Sequence, residues 1–180
     1  MQYSFRNIVL AVSTLVISTP SLAHVDHSMQ ASFSAGFWHP LTGWDHLAAL
    51  LLIGLFAAGY GYKKSAQIIG CFSAALICGF LIGVEWSNAE QVEFLVAGSL
   101  VALPFALYAY RKTGAIKWFS IISIAAFSAC HGLVQGAEAM GSISEFGLGS
   151  LVASVLVMIG VNLLVKTLRS TLGSGKVAKS

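Results

Sequence analysis

The chain has 180 residues, of which 57% are hydrophobic and 9% charged, and its mean hydropathy of +0.81 is that of a membrane protein; soluble domains carry roughly 25% charged residues. A net charge of +3 is too small for a nucleic-acid surface. The 3 cysteines, Cys71, Cys78 and Cys130, all fall in apolar runs, give neither a disulfide framework nor a paired CxxC motif, and read as small buried hydrophobes.

Residues 1–23 read as a secretory signal peptide. Arg6 supplies a positive start, an apolar stretch covers 8–18, and "STPSLA" places Ser21 and Ala23 at minus three and minus one of a cleavage site. The stretch is short for crossing about 30 Å of hydrocarbon, which favours cleavage before His24 over an uncleaved anchor. The segment 24–40 is then periplasmic and opens "HVDHSM". Its new amine, His24, Asp26 and His27 form either a weak outer trap for a divalent ion or a disordered polar lead-in.

Long apolar runs follow at 41–60, 66–84, 94–110, 118–135 and 146–165. Each has the length of a spanning helix, about 17–25 residues. The predicted fold class is therefore all-α, a polytopic bundle of five transmembrane helices within 41–166, followed by a flexible cytoplasmic tail over 167–180. Gly79 with Gly83, and Gly132 with Gly136, make GxxxG spacings that let helices approach closely in lipid, and Gly54 and Gly59 lie in the first run.

Charge fixes the expected topology. With the mature N-terminus exported, all 10 Lys and Arg, from Arg6 through Lys63, Lys64, Arg111, Lys112, Lys117, Lys166, Arg169 and Lys176 to Lys179, begin or end on the cytoplasmic side. All 7 acids (Asp26, Asp45, Glu85, Glu90, Glu93, Glu138 and Glu145) fall on the other. The expected location is the inner membrane of a bacterium, with a periplasmic mature N-terminus and a cytoplasmic C-terminus.

Ionisable groups in membrane segments cost about 2.5–3.5 kcal/mol on insertion scales and so mark function. The first run opens "HPLTGWDHL", His39 to Leu47. Thr42 and Asp45 have capping-box spacing, and Pro40 suits a helix entrance. Capping explains Asp45 alone and leaves His46 and His39 unexplained. On a straight helix His39 and His46 would be about 10.5 Å apart along the axis. The chain therefore folds back at Pro40, or the two histidines serve successive positions on an ion's route. In "CHGLVQGAE", His131, Gln135 and Glu138 lie on one stripe of the fourth helix. With Glu93 at the entrance of the third, the imidazoles and carboxylates gather in the outer half of one bundle. Imidazole with carboxylate suits nickel, cobalt, zinc or copper.

These motifs make the chain resemble the HupE/UreJ family of small membrane proteins, associated with nickel or cobalt supply to hydrogenase, urease or cobalamin pathways. "HPLTGWDHL" matches the family's histidine–glycine–aspartate–histidine signature, which implies metal-ligand roles for His39, Asp45 and His46. "QVEFLVAGSLV" resembles its acidic third-helix entrance and implies a role for Glu93; "HGLVQGAE" resembles its fourth-helix motif and implies roles for His131 and Glu138. Where the family usually carries a second histidine, this chain has Gln135, a neutral oxygen donor and a poorer nickel ligand.

The expectation is an inner-membrane permease for divalent transition metal, nickel first and cobalt next, with metal ligands His39, Asp45, His46, Glu93, His131 and Glu138 and weaker contributions from Gln135, His24 and His27. It would use no prosthetic group, and its partners would be the bilayer, the transported ion and an unproven oligomer or metallochaperone. No GxxxxGK motif suggests an ATPase. Two alternatives stand beside it. One is an intramembrane zinc hydrolase using a serine such as Ser128, although HExxH is absent. The other is a membrane metal sensor or metal-handing partner that binds without transport.

Overall fold

A computed structural model of the protein describes residues 32–86, 89–139 and 141–177, with the side chains of 89–91, 93 and 173–177 outside that description. The signal-peptide residues, His24, Asp26 and His27 therefore lie outside the described residues. The described chain is all helix: α1 Phe33–Thr42, α2 Trp44–Ala57, α3 Tyr62–Val84, α4 Ala89–Ala109, α5 Gly114–Ala137 and α6 Ile143–Val177. Helices satisfy every backbone group internally, which lipid demands of the apolar runs that form them.

α3, α5 and α6 (over Ile143–Leu172) are long and apolar enough to cross a membrane, and α1 with α2 makes a fourth span if the bent pair is counted as one. The apolar part of α4, Phe94–Ala109, is shorter. At 1.5 Å per residue it covers about 24 Å of the roughly 30 Å core. The described helices thus give three to four spans where the apolar runs suggested five.

The first apolar run is broken. Ser32 caps α1 by accepting from the Ala35 N–H at 3.3 Å, and the chain then turns through 77° between α1 and α2. The break falls at Gly43, with Pro40 inside α1, so the expected fold-back at Pro40 lies three residues further on. Pro40 removes the donor that would bond the Gly36 carbonyl. The capping box does not form. Thr42 Oγ1 turns back to the carbonyls of Trp38 and His39, at 3.0 and 3.3 Å, and α2 begins at Gly43 with no side-chain cap.

Small residues set the packing. Gly79 and Gly83 of α3 lie against the backbone at Ala129 and Leu133 of α5, while Gly132 and Gly136 of α5 lie against Leu76 and Phe80 of α3. A Cβ at any of them would collide with main-chain atoms, so the two GxxxG spacings interlock directly. Gly36 of α1 and Gly149 of α6 make the same approach, against Phe146 and Phe33. Between the helices lies an apolar cluster that includes Leu50, Ile53, Phe72, Leu76, Leu103 and Met158.

Two expectations about side chains and ends change. Cys71 and Cys78 are exposed, on helix faces turned away from the bundle where an apolar sulfur is equally at home in lipid, and Cys130 is half-buried against the cluster of Val92, Val96 and Val134. α6 stays helical to Val177, over most of the segment expected to be a flexible tail. No proline interrupts it. The sorting of charge is retained among the described residues. At the basic end Arg169 donates to the Ala58 carbonyl at 3.0 Å, and the Lys64 and Lys117 ammoniums lie 5.9 and 5.4 Å from the Tyr110 ring centre. Partial burial raises the Tyr60 phenol there, with Arg111 opposing the shift. Glu138 meets His39 at the opposite end.

Candidate metal site

The elbow at Gly43 answers the spacing problem of the first motif. It brings the His39 and His46 rings to 5.1 Å between centres, half the separation a straight helix would impose. A Cβ on Gly43 would lie 3.2 Å from Asp45 Oδ1 and 3.4 Å from His46 Nδ1, so a side chain there would press on the Asp45–His46 pair. The His131 ring, brought in by α5, lies 5.2 Å from that of His46. All three imidazoles are buried.

Their hydrogen bonds decide which nitrogen is free. Asp45 Oδ1 accepts from the His46 backbone N–H and lies 2.8 Å from His46 Nδ1. A carboxylate can only accept, so Nδ1 carries the proton and Nε2 keeps its lone pair. Ser99 Oγ donates to the Val96 carbonyl at 2.7 Å and lies 3.1 Å from His131 Nε2. With its one proton spent, Ser99 faces the ring as acceptor, which places the His131 proton on Nε2 and leaves Nδ1 bare. Both bare nitrogens, His46 Nε2 and His131 Nδ1, are buried without a hydrogen-bond partner. Such groups are costly in a protein interior unless something binds them.

His39 Nε2 is likewise without a hydrogen bond, although Glu138 Oε2 stands 3.4 Å away as an ion-pair partner. Gln135 is fully buried, and its Oε1 accepts from Ser150 of α6 at 2.7 Å. Glu93 is in α4, but its side chain lies outside the described residues. Among the described residues no three His, Cys, Asp or Glu groups converge on one point as a closed cage. The imidazoles form a ladder, His39 to His46 to His131, and Ala49, Leu50, Phe72, Leu76 and Gln135 close in around its last two rungs. A ladder of this kind suits successive stations better than one chelate.

Ser99 belongs to no ligand motif in the sequence. Its signal was a lone hydroxyl in the apolar run "FLVAGSLV", a weak one among so many small residues. Ser128 is buried and donates to the Phe72 carbonyl at 2.6 Å, a bond between α5 and α3.

An apolar helix bundle with buried imidazoles at its acidic end is the architecture of a membrane protein. The chain belongs to the HupE/UreJ family, whose "HupE / UreJ protein" profile matches residues 11–178. It is also similar to Protein HupE of Rhizobium leguminosarum bv. viciae, 28% identical over 167 residues that cover 91% of this chain and 84% of that relative. No solved structure matches it.

Proposed function

We propose that the protein is a permease for a divalent transition-metal ion, nickel first and cobalt next, crossing the inner membrane in five passages with its basic end in the cytoplasm. The observation that carries this reading is the pair of unpartnered lone pairs, His46 Nε2 and His131 Nδ1, on neighbouring buried rings. Neutral imidazole is a good ligand for such ions, and a carboxylate behind the ring is the usual means of fixing which nitrogen faces the metal. Membership of a family associated with nickel and cobalt supply to hydrogenase and urease supports the choice of ion. His39 with Glu138 forms the entrance, His46 and His131 take the ion in turn, and Glu93 completes the shell. Gln135 lends a carbonyl, which favours loose over tight binding. His24 and His27 would gather ions ahead of the entrance.

The deciding experiment is nickel influx into sealed proteoliposomes holding the full chain and a metal-sensitive dye. Influx in the parent protein, abolished by His46→Ala, is the expected result; absence of influx for nickel, cobalt and zinc alike, in protein that still binds metal, would leave a binding or sensing role. The hydrolase reading gains no support from Ser128, whose hydroxyl is committed to the Phe72 carbonyl.

A further inference from the structure

Apolar side chains close in around His46 and His131, and the permease reading needs a way past them. α6 carries one. Ser150, Ser154, Met158 and Asn162 recur at every fourth position and are all buried, at 1%, 0%, 0% and 4% exposure. Lys166 continues the series. The outward faces of the same stretch carry Leu156, Ile159, Leu163 and Leu164. The series joins the outer site at its first member, since Ser150 Oγ donates to Gln135 Oε1 beside His131. At its last member, Lys166 Nζ donates to Ser65 Oγ at 2.7 Å and lies 4.2 Å from the centre of the Tyr62 ring. From Ser150 to Lys166 a helix rises about 24 Å, most of a bilayer's hydrocarbon thickness.

Buried serine and asparagine in membrane helices often serve only to join helices by hydrogen bonds. Ser150 does so. Ser154 Oγ and Asn162 Nδ2 are different, because both are buried with no hydrogen-bond partner. Rotation of the Asn162 amide presents either its oxygen or its nitrogen to the same space. The thioether of Met158, a soft neutral donor, lies between them in the series.

Resting on the permease reading, we infer that the buried face of α6 at Ser154, Met158 and Asn162 is the inner half of the metal-ion route, closed at the basic end of the bundle by Lys166. The transported species there is a partly dehydrated divalent transition-metal cation. Hydroxyl, thioether and amide are neutral and weaker ligands than the imidazoles of the outer site. A route needs that descent, since an ion must be held firmly enough to enter and loosely enough to leave. The ammonium of Lys166 repels a second cation at the exit and keeps the way shut until it swings from Ser65 and Tyr62. The apolar contacts of Phe72, Leu76 and Met158 close the route in this conformation.

The test uses the full chain in sealed proteoliposomes, nickel chloride as probe, and nickel binding to detergent-purified protein as a second readout. Asn162→Leu and Ser154→Val should each cut influx about tenfold or more while leaving binding within about twofold, because they remove inner ligands only. Asn162→Cys supplies a soft thiolate. Its influx should become blocked by low cadmium and recover with chelator, a gain that a misfolded protein cannot imitate. Leu164→Cys, on the outward face, and the parent chain with its own cysteines should show no such block. Lys166→Gln keeps a donor for Ser65, and it should raise influx about twofold or more in a manner still abolished by His46→Ala. Influx that depends on His46 but ignores Asn162→Leu, with no cadmium block in Asn162→Cys, would overturn the inner route and leave the permease reading standing. A fall in influx for Lys166→Gln would overturn the barrier role. No influx in the parent chain would remove the permease reading and this inference with it.

Discussion

Asp45 and Ser99 decide more about the site than their positions suggest. Each takes the proton-bearing nitrogen of one imidazole and so turns the other toward the interior. Asp45→Ala removes the oxygen that accepts from His46 Nδ1–H and from the His46 backbone N–H, so the tautomer that leaves Nε2 bare is no longer fixed. Nickel affinity, read by equilibrium binding, should fall about 10- to 100-fold, as is common when a partner behind a ligand is changed. Ser99→Ala should give a milder loss, since His131 loses its acceptor but keeps its place in the packing. Asp45, His46 and His131 were legible in the sequence because ionisable groups are rare in such apolar surroundings. Ser99 was not, since one hydroxyl in a small-residue run carries no mark of what it will face. The capping-box spacing of Thr42 and Asp45 misled for a related reason: once the chain breaks at Gly43, the carboxylate is claimed by His46.

At the level of helices, glycine governs both the fold and the site. The interlocked pairs on α3 and α5 admit no side chain, so Gly132→Leu should destabilise the bundle by more than the roughly 1–3 kcal/mol usual for overpacking. Thermal unfolding in detergent would register this as a lowered midpoint. Gly43→Val should behave differently. It crowds Asp45 and His46 without touching the main interhelical contacts, so nickel binding should weaken while the unfolding midpoint holds. The GxxxG spacings announced close packing in the sequence, but which pairs would meet follows only from the arrangement of the bundle. The elbow itself was half legible. The spacing of His39 and His46 required the chain to turn, and Pro40 was the obvious place for it. Pro40 instead stays within its helix at the cost of the Gly36 carbonyl's partner, and Gly43 supplies the turn.

Over the whole molecule, the separation of basic from acidic residues in the sequence corresponds to two ends of one bundle among the described residues. If the basic end faces the cytoplasm, Thr113→Cys should react with an impermeant thiol reagent only after the membrane is opened or inverted. Ser142→Cys should react from outside in intact cells. The opposite pattern would reverse the transport direction assigned to the route. The apolar runs number five and the helices that meet the length and composition of a span three to four among the described residues, because hydropathy does not show that one run is folded at 77° or that another is short.

The close seating of α1 on α6 has a mechanical consequence. Gly36 and Gly149 bind these two helices back to back, whereas α1 meets α2 through a single-residue corner. His39 is therefore seated against α6, while His46 belongs to α2. The spacing of their two rings is set by how α6 lies on α2, where Gly54 is packed against the Met158 backbone. One long helix thus fixes the first step of the imidazole ladder and, at its far end, the positions of Asn162 and Lys166.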